Sequence, residues 1–137
     1  MTFNELALSL PQGFHDAELH RFEMDYISRR LVFDLVVWIG DMDNGQDREM
    51  YRPARVTVEG VAYLVIEPPD PRYSCKEPGH IIIDTGEGQP TNSETHLPEA
   101  PQETSVTWMY LVDFNRFVYF AASHASLEWT GPDENHA

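Results

Sequence analysis

The sequence predicts a single α+β domain, in which a curved, mainly antiparallel sheet of six to seven strands carries one short N-terminal helix. Its 137 residues match the usual length of one domain. The one clear helical stripe stands at the N-terminus, and strand-like runs separated by turn residues follow from Ala17 onward. We expect the domain to span residues 1–131, with a long flexible loop at 86–104 and a disordered tail at 132–137.

The helix is predicted directly after Thr2. A hydroxyl at Thr2 and a carboxylate at Glu5 have the spacing of a capping box, and Pro11 and Gly13 end the pattern. Such a short helix is unstable alone, so its apolar face must pack on the sheet. That face consists of Phe3, Leu6, Ala7 and Leu10.

Seven strand-like runs follow. The first two form a long hairpin that is entered through a corner at 14–16 and turns at 27–30. The second run, Leu31–Ile39, is apolar on both faces, which indicates either a half-barrel covered on both sides or a homodimer through one sheet face. Gly60 indicates a bulge or a close approach within the third run. The runs are Glu18–Tyr26, Leu31–Ile39, Arg55–Glu67, His80–Thr85, Ser105–Phe114, Phe117–Ser123 and Ser126–Thr130.

The charge is strongly acidic, with 23 acids against 9 bases. Residues 1–76 have a net charge of −5 and residues 77–137 a net charge of −9, and no basic side chain lies between Lys76 and Arg116. Such a surface disfavours nucleic acid and anionic membranes, whose phosphates need a positive surface. It favours a basic protein partner, and the alternative is that the charge only keeps the protein soluble.

The single cysteine, Cys75, excludes an internal disulfide and a multi-cysteine zinc site. The N-terminus lacks a positive region, and no apolar run approaches the ~18 residues of a membrane span. We therefore expect a cytoplasmic protein.

The first candidate group is His15 and Asp16, with His20 nearby. The structural interpretation is that Asp16 caps the corner by accepting backbone N–H bonds while His15 packs over it. The alternative is acid/base chemistry or a metal site, which would need a further ligand from His80, His96 or His124.

Other motifs give little support for chemistry. The segment Asp41–Asp47 resembles the start of a calcium loop, but its glycine is one position early and Arg52 replaces the bidentate glutamate. Cys75 has only Lys76 beside it, and the chain contains no nucleophile elbow or phosphate-binding glycine loop. We predict no catalytic residue, no cofactor and no metal ligand.

Aromatic residues are abundant in the predicted strands. Core packing accounts for most of them, and the others could form a patch for a partner, since Trp and Tyr dominate binding hot spots. The predicted ligand- or partner-binding residues are His15, Asp16, Trp38, Tyr51, Trp108 and Tyr110.

The F-H-D-A motif at Phe14–Ala17, followed by an apolar hairpin, resembles small bacterial proteins that include immunity-type families of polymorphic toxin systems. The likeness covers residues 13–40. It implies an α+β fold and an inhibitory protein–protein role, and an acidic charge is common among immunity proteins because many toxins are basic nucleases.

These observations predict a non-catalytic, acidic protein-binding module, immunity-like in the form the resemblance implies, that docks a basic partner. The alternative is a small-molecule-binding or catalytic β-barrel-like protein that uses the concave face of the sheet, with His15, Asp16, Tyr51 or His80 lining a cavity. A metal protein is the third hypothesis.

Overall fold

The computed structural model describes residues 1–40, 50–73 and 80–132 and the backbone of residues 134–135. These residues form one short helix and nine strands in a single antiparallel sheet, which confirms the predicted fold class with more strands than expected. The elements are α1 (Phe3–Leu8), β1 (Ala17–Asp25), β2 (Arg30–Trp38), β3 (Met50–Glu59), β4 (Tyr63–Ile66), β5 (Ile81–Glu87), β6 (Ser105–Leu111), a 3-10 turn (Val112–Phe114), β7 (Arg116–Ala122), β8 (His124–Trp129) and β9 (Glu134–Asn135).

Gly60 divides the predicted third run into β3 and β4. Its φ is +65°, and a Cβ at this position would lie 2.1 Å from the Oγ of Ser123. Only glycine therefore fits this bend without strain. The remaining additional strand is β9, which pairs with Met50 and Tyr51 at the start of β3.

The sheet is so strongly curved that two bent chain segments, β3–β4 and β7–β8, contribute strands at both of its ends. The strand order is β4-β7-β6-β5-β1-β2-β3-β8, and β4 continues β3 while β8 continues β7. The N–H of Ser123 donates to the carbonyl of Glu59 (3.2 Å), and the N–H of Ala62 donates to that of Ala121 (2.7 Å). These bonds join the β3–β8 and β4–β7 ladders into one bent ladder, in the way that bent strands form corners between packed sheets.

Helix α1 lies across the concave face. Its predicted capping box is present: the N–H of Glu5 donates to Thr2 Oγ1 (3.1 Å), and the N–H of Thr2 donates to Glu5 Oε1 (2.9 Å). The ring of Phe3 lies 4.9 Å from that of Phe14 and 5.3 Å from that of Phe120. These buried aromatic rings fill the concave side with a continuous apolar core.

The segment 88–104 covers the outer face of β7. Tyr119 is fully buried there, and its hydroxyl lies 2.7 Å from the Oγ of Ser93. Glu67 holds the same segment, because its Oε2 accepts from Thr95 Oγ1 (2.5 Å) while its Oε1 accepts the N–H of Phe117 (2.7 Å). The apolar residues on the outer side of β7 are thus buried by the protein's own chain.

Candidate functional site

His15 stands at the centre of the N-terminal corner. Its Nδ1 lies 3.2 Å from Asp84 Oδ2, its Nε2 lies 3.5 Å from Asp16 Oδ2, and its ring centroid is 6.2 Å from that of Trp38. The imidazole is about half exposed, so it meets solvent and two carboxylates together. Such a His–carboxylate group can donate and accept hydrogen bonds to a bound partner.

The corner is closed by the backbone. The N–H of Ala17 donates to the carbonyl of Phe14 (3.1 Å), and the N–H of His15 donates to that of Gln12 (3.2 Å). Asp16 adopts a positive φ of 54°, a conformation that aspartate tolerates better than most residues. Within the described part of the chain its carboxylate contacts His15 and accepts no backbone N–H, so the predicted cap of the corner is not formed by Asp16.

The other predicted site residues fall into two groups. Trp38 is nearly buried beside His15, and Tyr51 lies opposite Trp38 in the β2–β3 ladder. Trp108 and Tyr110 lie on β6, two strands away from the corner. Strand β5 connects the two groups, because Asp84 contacts His15 and lies opposite Tyr110.

Trp108 and Tyr110 belong to an aromatic layer on the outer face. The ring of Phe117 lies 5.8 Å from that of Trp108 and 5.0 Å from that of Tyr110. The hydroxyl of Tyr110 donates to Asn115 Oδ1. The indole of Trp108 covers Gly86, where a Cβ would lie 2.3 Å from it. Both side chains are half-buried and fixed by these neighbours.

A groove of about 490 Å³ opens beside the corner, between the C-terminal end of α1 and strand β5. One wall is mainly apolar, and the other carries carboxylates and exposed backbone. The lining residues are Asn4, Ala7, Leu8, Leu10, Pro11, Gln12, Gly13, Phe14, His15, Asp84, Thr85, Gly86 and Glu87. We call this feature the acidic groove.

The floor of the acidic groove is the edge of β5 at residues 84–87, which on this side pairs with no other strand among the described residues. The β1–β5 ladder covers only residues 81–83 of β5. The N–H groups of Ile82 and Gly88 bond to Asp113 and Val106, respectively, on the side of β6. Since backbone groups alternate along an antiparallel strand, those of Thr85 and Glu87 face the groove.

The acidic groove is also negatively charged. Asp84 and Glu87 line it, and none of the lining residues that the structure describes is Lys or Arg. Asp84 is held in place, because its Oδ1 accepts the N–H of Thr85 (2.9 Å) while its Oδ2 faces His15. On the apolar wall Leu8 is 87% exposed.

A second histidine–carboxylate group lies further along β1. The ligand atoms of Glu18, His20 and His80 all lie within 4.8 Å of one another. Among the described residues, these three side chains lie close enough together to hold a metal ion. The predicted combination of His15 and Asp16 with His80 is not formed, since His80 lies beside His20 instead.

Sequence reasoning missed Asp84, Glu87 and Glu18. They become site residues only because β5, distant in sequence, pairs with β1. The alternation in Ile81–Glu87 could have indicated that Asp84 points outward, but no local pattern identifies which strand lies beside it. The predicted calcium-like segment Asp41–Asp47 and Cys75 lie outside the described residues.

No helix in the described ranges is both long and apolar enough to cross a membrane. Comparisons with protein-family models, with curated proteins and with solved structures gave no match to this chain.

Proposed function

We propose that this protein is a non-catalytic binding module that docks a basic protein partner, and that the acidic groove receives an extended basic segment of that partner. The observation that carries the proposal is the composition of the groove. It combines Asp84, Glu87, an exposed Leu8 and an open strand edge, with neither Lys nor Arg among the described residues that line it.

The charge of the groove is available to a partner because most of the described arginines lie beside carboxylates elsewhere. In the described part of the chain, five arginines lie between 2.8 and 3.5 Å from a carboxylate: Arg21 from Glu23, Arg30 from Glu59, Arg55 from Asp34, and both Arg72 and Arg116 from Asp70. Asp84 and Glu87 have no such partner there. Charge-assisted hydrogen bonds from a Lys or Arg of the partner would satisfy them.

The open strand edge supports an extended ligand rather than a helical one. A peptide strand laid along β5 would pair with the carbonyl of Thr85 and the backbone groups of Glu87, because the N–H of Thr85 already donates to Asp84 Oδ1; this is the geometry of strand addition. Main-chain bonds would then supply affinity, while Asp84 and Glu87 would select basic side chains. Leu8 and Pro11 would contact an apolar residue of the same segment.

The alternative function, a ligand cavity on the concave face, has less support. The face is occupied by Phe3 and Leu6 of α1, packed on the aromatic core. An immunity-type role, as suggested by the F-H-D-A motif, is one form of the proposed function: the basic partner would then be a toxin that the module inhibits.

The test is capture of partners from a native lysate on the immobilised protein, in low and in moderate salt. We expect one basic protein to be retained in low salt and weakened in moderate salt, because exposed charges are screened. The Asp84→Asn/Glu87→Gln variant should bind the purified partner at least about tenfold more weakly, because each lost charge-assisted bond contributes roughly 1.5–3 kcal/mol.

Glu99→Gln/Glu103→Gln is the matched control, since it removes the same charge from residues outside the groove. An amide at position 84 can still accept the N–H of Thr85, so the groove should keep its shape. The proposal would be contradicted by equal losses in both double variants, or by a partner whose affinity does not depend on salt.

A further inference from the structure

We propose that Glu18, His20 and His80 form a binding site for a divalent transition-metal ion, with zinc the best match to the ligand set. The three side chains lie on the outer face, where β1 and β5 meet. This site is separate from the acidic groove and does not depend on the proposed partner.

The distances between these side chains suit a small ion. Ligand atoms about 2.0–2.1 Å from zinc stand about 3.3 Å apart in a tetrahedron. His20 Nε2 and Glu18 Oε2 are 3.4 Å apart, and the imidazole centroids of His20 and His80 are 5.5 Å apart. Since all three ligand atoms lie within 4.8 Å of one another, a side-chain shift of about 1 Å would complete three corners of the tetrahedron.

The backbone explains how two ligands of one strand reach the same ion. Glu18 and His20 stand two positions apart in β1, and strand alternation places such residues on the same face. The register of β1 shifts between Leu19 and Arg21, so His20 is also the additional residue of a β-bulge. Bulges redirect side chains and are common beside functional sites. His80 directly precedes β5 and faces His20 just beyond the last pair of the β1–β5 ladder, Leu19 with Ile81.

The surrounding charges do not oppose a cation. Arg55 is bound to Asp34 through Nε (2.8 Å) and Nη2 (3.3 Å), and Arg21 is 2.8 Å from Glu23. Both arginines are therefore neutralised by their own carboxylates. A shallow groove beside His20, also lined by Asp34 and Arg55, leaves room for a water as the fourth ligand.

The ligand set selects the class of ion. Two imidazoles and one carboxylate favour zinc, copper or nickel, whereas calcium and magnesium prefer oxygen ligands alone. Glu18 is mostly buried and His20 is partly exposed, so the ion would be held firmly yet could enter from solvent.

A bound ion would also stabilise the sheet at the short β1–β5 ladder. Among the described residues three pairs form the β1–β5 ladder, which joins β1–β2–β3 to β5–β6–β7. An ion held by β1 and by His80 would close the end of this ladder. Metal binding to the folded state alone should therefore raise the melting temperature, by roughly 5–10 °C at saturating zinc.

The experiment uses the untagged full-length protein, freed of metal with a chelator and titrated with zinc against a chromophoric competitor. We expect the wild type to bind one equivalent of zinc. The variants His20→Ala and His80→Ala should each weaken zinc binding by more than the ~10–100-fold that the loss of a residue hydrogen-bonded to a metal ligand costs. Cobalt should give the visible absorption of a tetrahedral site in the wild type only.

His96→Ala is the matched control, because His96 is exposed and outside the cluster. It should bind zinc like the wild type and show the same increase in melting temperature. Circular dichroism of the metal-free variants establishes that they are folded. Binding of less than half an equivalent, or equal affinity in His20→Ala and the wild type, would overturn the proposal and leave Glu18 and His20 as a simple hydrogen-bonded pair.

Discussion

At the scale of single residues, Gly86 shows how closely the outer aromatic layer is packed. Its missing side chain makes room for the indole of Trp108, since a Cβ would lie 2.3 Å from that ring. Trp108 in turn packs edge-on against Phe117. The glycine is therefore needed for packing, and its backbone conformation does not require it.

Gly86→Ala should lower the free energy of unfolding by roughly 1–3 kcal/mol, the usual cost of overpacking. Urea denaturation followed by tryptophan fluorescence measures this change. Trp108→Phe, introduced into the same variant, should restore part of the loss because it removes the clashing ring. Additive losses in the double variant would contradict this explanation.

Asp70 is another residue whose environment has a measurable effect, in this case on the pKa of its carboxyl group. It is buried, it accepts hydrogen bonds from the side chain of Arg72 (2.8 Å) and from the Arg72 backbone N–H (3.0 Å), and it forms an ion pair with Arg116 (3.2 Å). These bonds, above all those from the Arg72 side chain, hold the pKa of Asp70 well below its usual value of 3.8.

A lowered carboxyl pKa stabilises the fold above the pKa of the unfolded chain, and this stabilisation is lost as the pH falls toward the folded pKa. We expect the free energy of unfolding to decrease as the pH drops below about 4. Asp70→Asn should be less stable than the wild type at pH 7 and should lose less stability between pH 5 and pH 3. The free energy of unfolding of Asp70→Asn should still decrease with falling pH, because hydrogen bonds also lower the pKa of Glu5, Asp25 and Asp34. Parallel curves for the two proteins would contradict this role.

At the scale of the elements, helix α1 has two opposite functions on its two faces. Phe3 and Leu6 are buried in the concave side of the sheet, whereas Leu8 is exposed at the rim of the acidic groove. The same six-residue helix thus completes the core and forms a wall of the proposed binding site.

Phe3→Ala should lower the free energy of unfolding by about 3–5 kcal/mol, because it leaves a cavity among aromatic rings. Leu8→Ala, in the same helix, should change it by no more than about 0.5 kcal/mol. Thermal and urea denaturation of the two variants give this comparison. A large loss in Leu8→Ala would mean that Leu8 supports the fold and that the groove wall was misassigned.

The stable Leu8→Ala variant should nevertheless bind the partner more weakly. Removing most of an apolar side chain that a partner buries costs roughly 1 kcal/mol or more, so a loss of about fivefold or more is expected. Calorimetric titration of wild type and variant measures it. Unchanged affinity would place the partner away from this wall.

The elements also show what the sequence could predict. Thr2, Glu5 and the apolar stripe lie within eleven residues, so local chemistry predicted the capped helix correctly. The hairpin of β1 and β2 was predicted for the same reason, since its turn is local. The division of the third run was not predicted, because the need for Gly60 arises from contact with Ser123, 63 positions away.

At the scale of the whole molecule, the candidate site depends on contacts between distant segments. His15 was identified from its neighbours, but its partner Asp84 is 69 positions away and is placed by the β1–β5 pairing. The acidic groove exists only because that ladder ends early, and no local pattern determines where a ladder ends. The uneven distribution of charge along the chain could be counted in the sequence. The position of Asp84 and Glu87 beside an open strand edge could not be predicted from it.

Charge distribution links the fold to the proposed function. The described arginines mostly lie beside carboxylates on other parts of the sheet, while the groove carries carboxylates alone. A basic partner should therefore be attracted by the overall charge and positioned by Asp84, Glu87 and the edge of β5.

The most direct test of this account is amide hydrogen exchange of the protein with and without its captured partner. We expect exchange to slow at Glu87 and across residues 8–15, because these backbone groups border the acidic groove and the N–H of Thr85 is already bonded to Asp84 in the free protein. Slowing that is confined to other surfaces, such as segment 88–104, would contradict the account, since the partner would then bind without using the acidic groove.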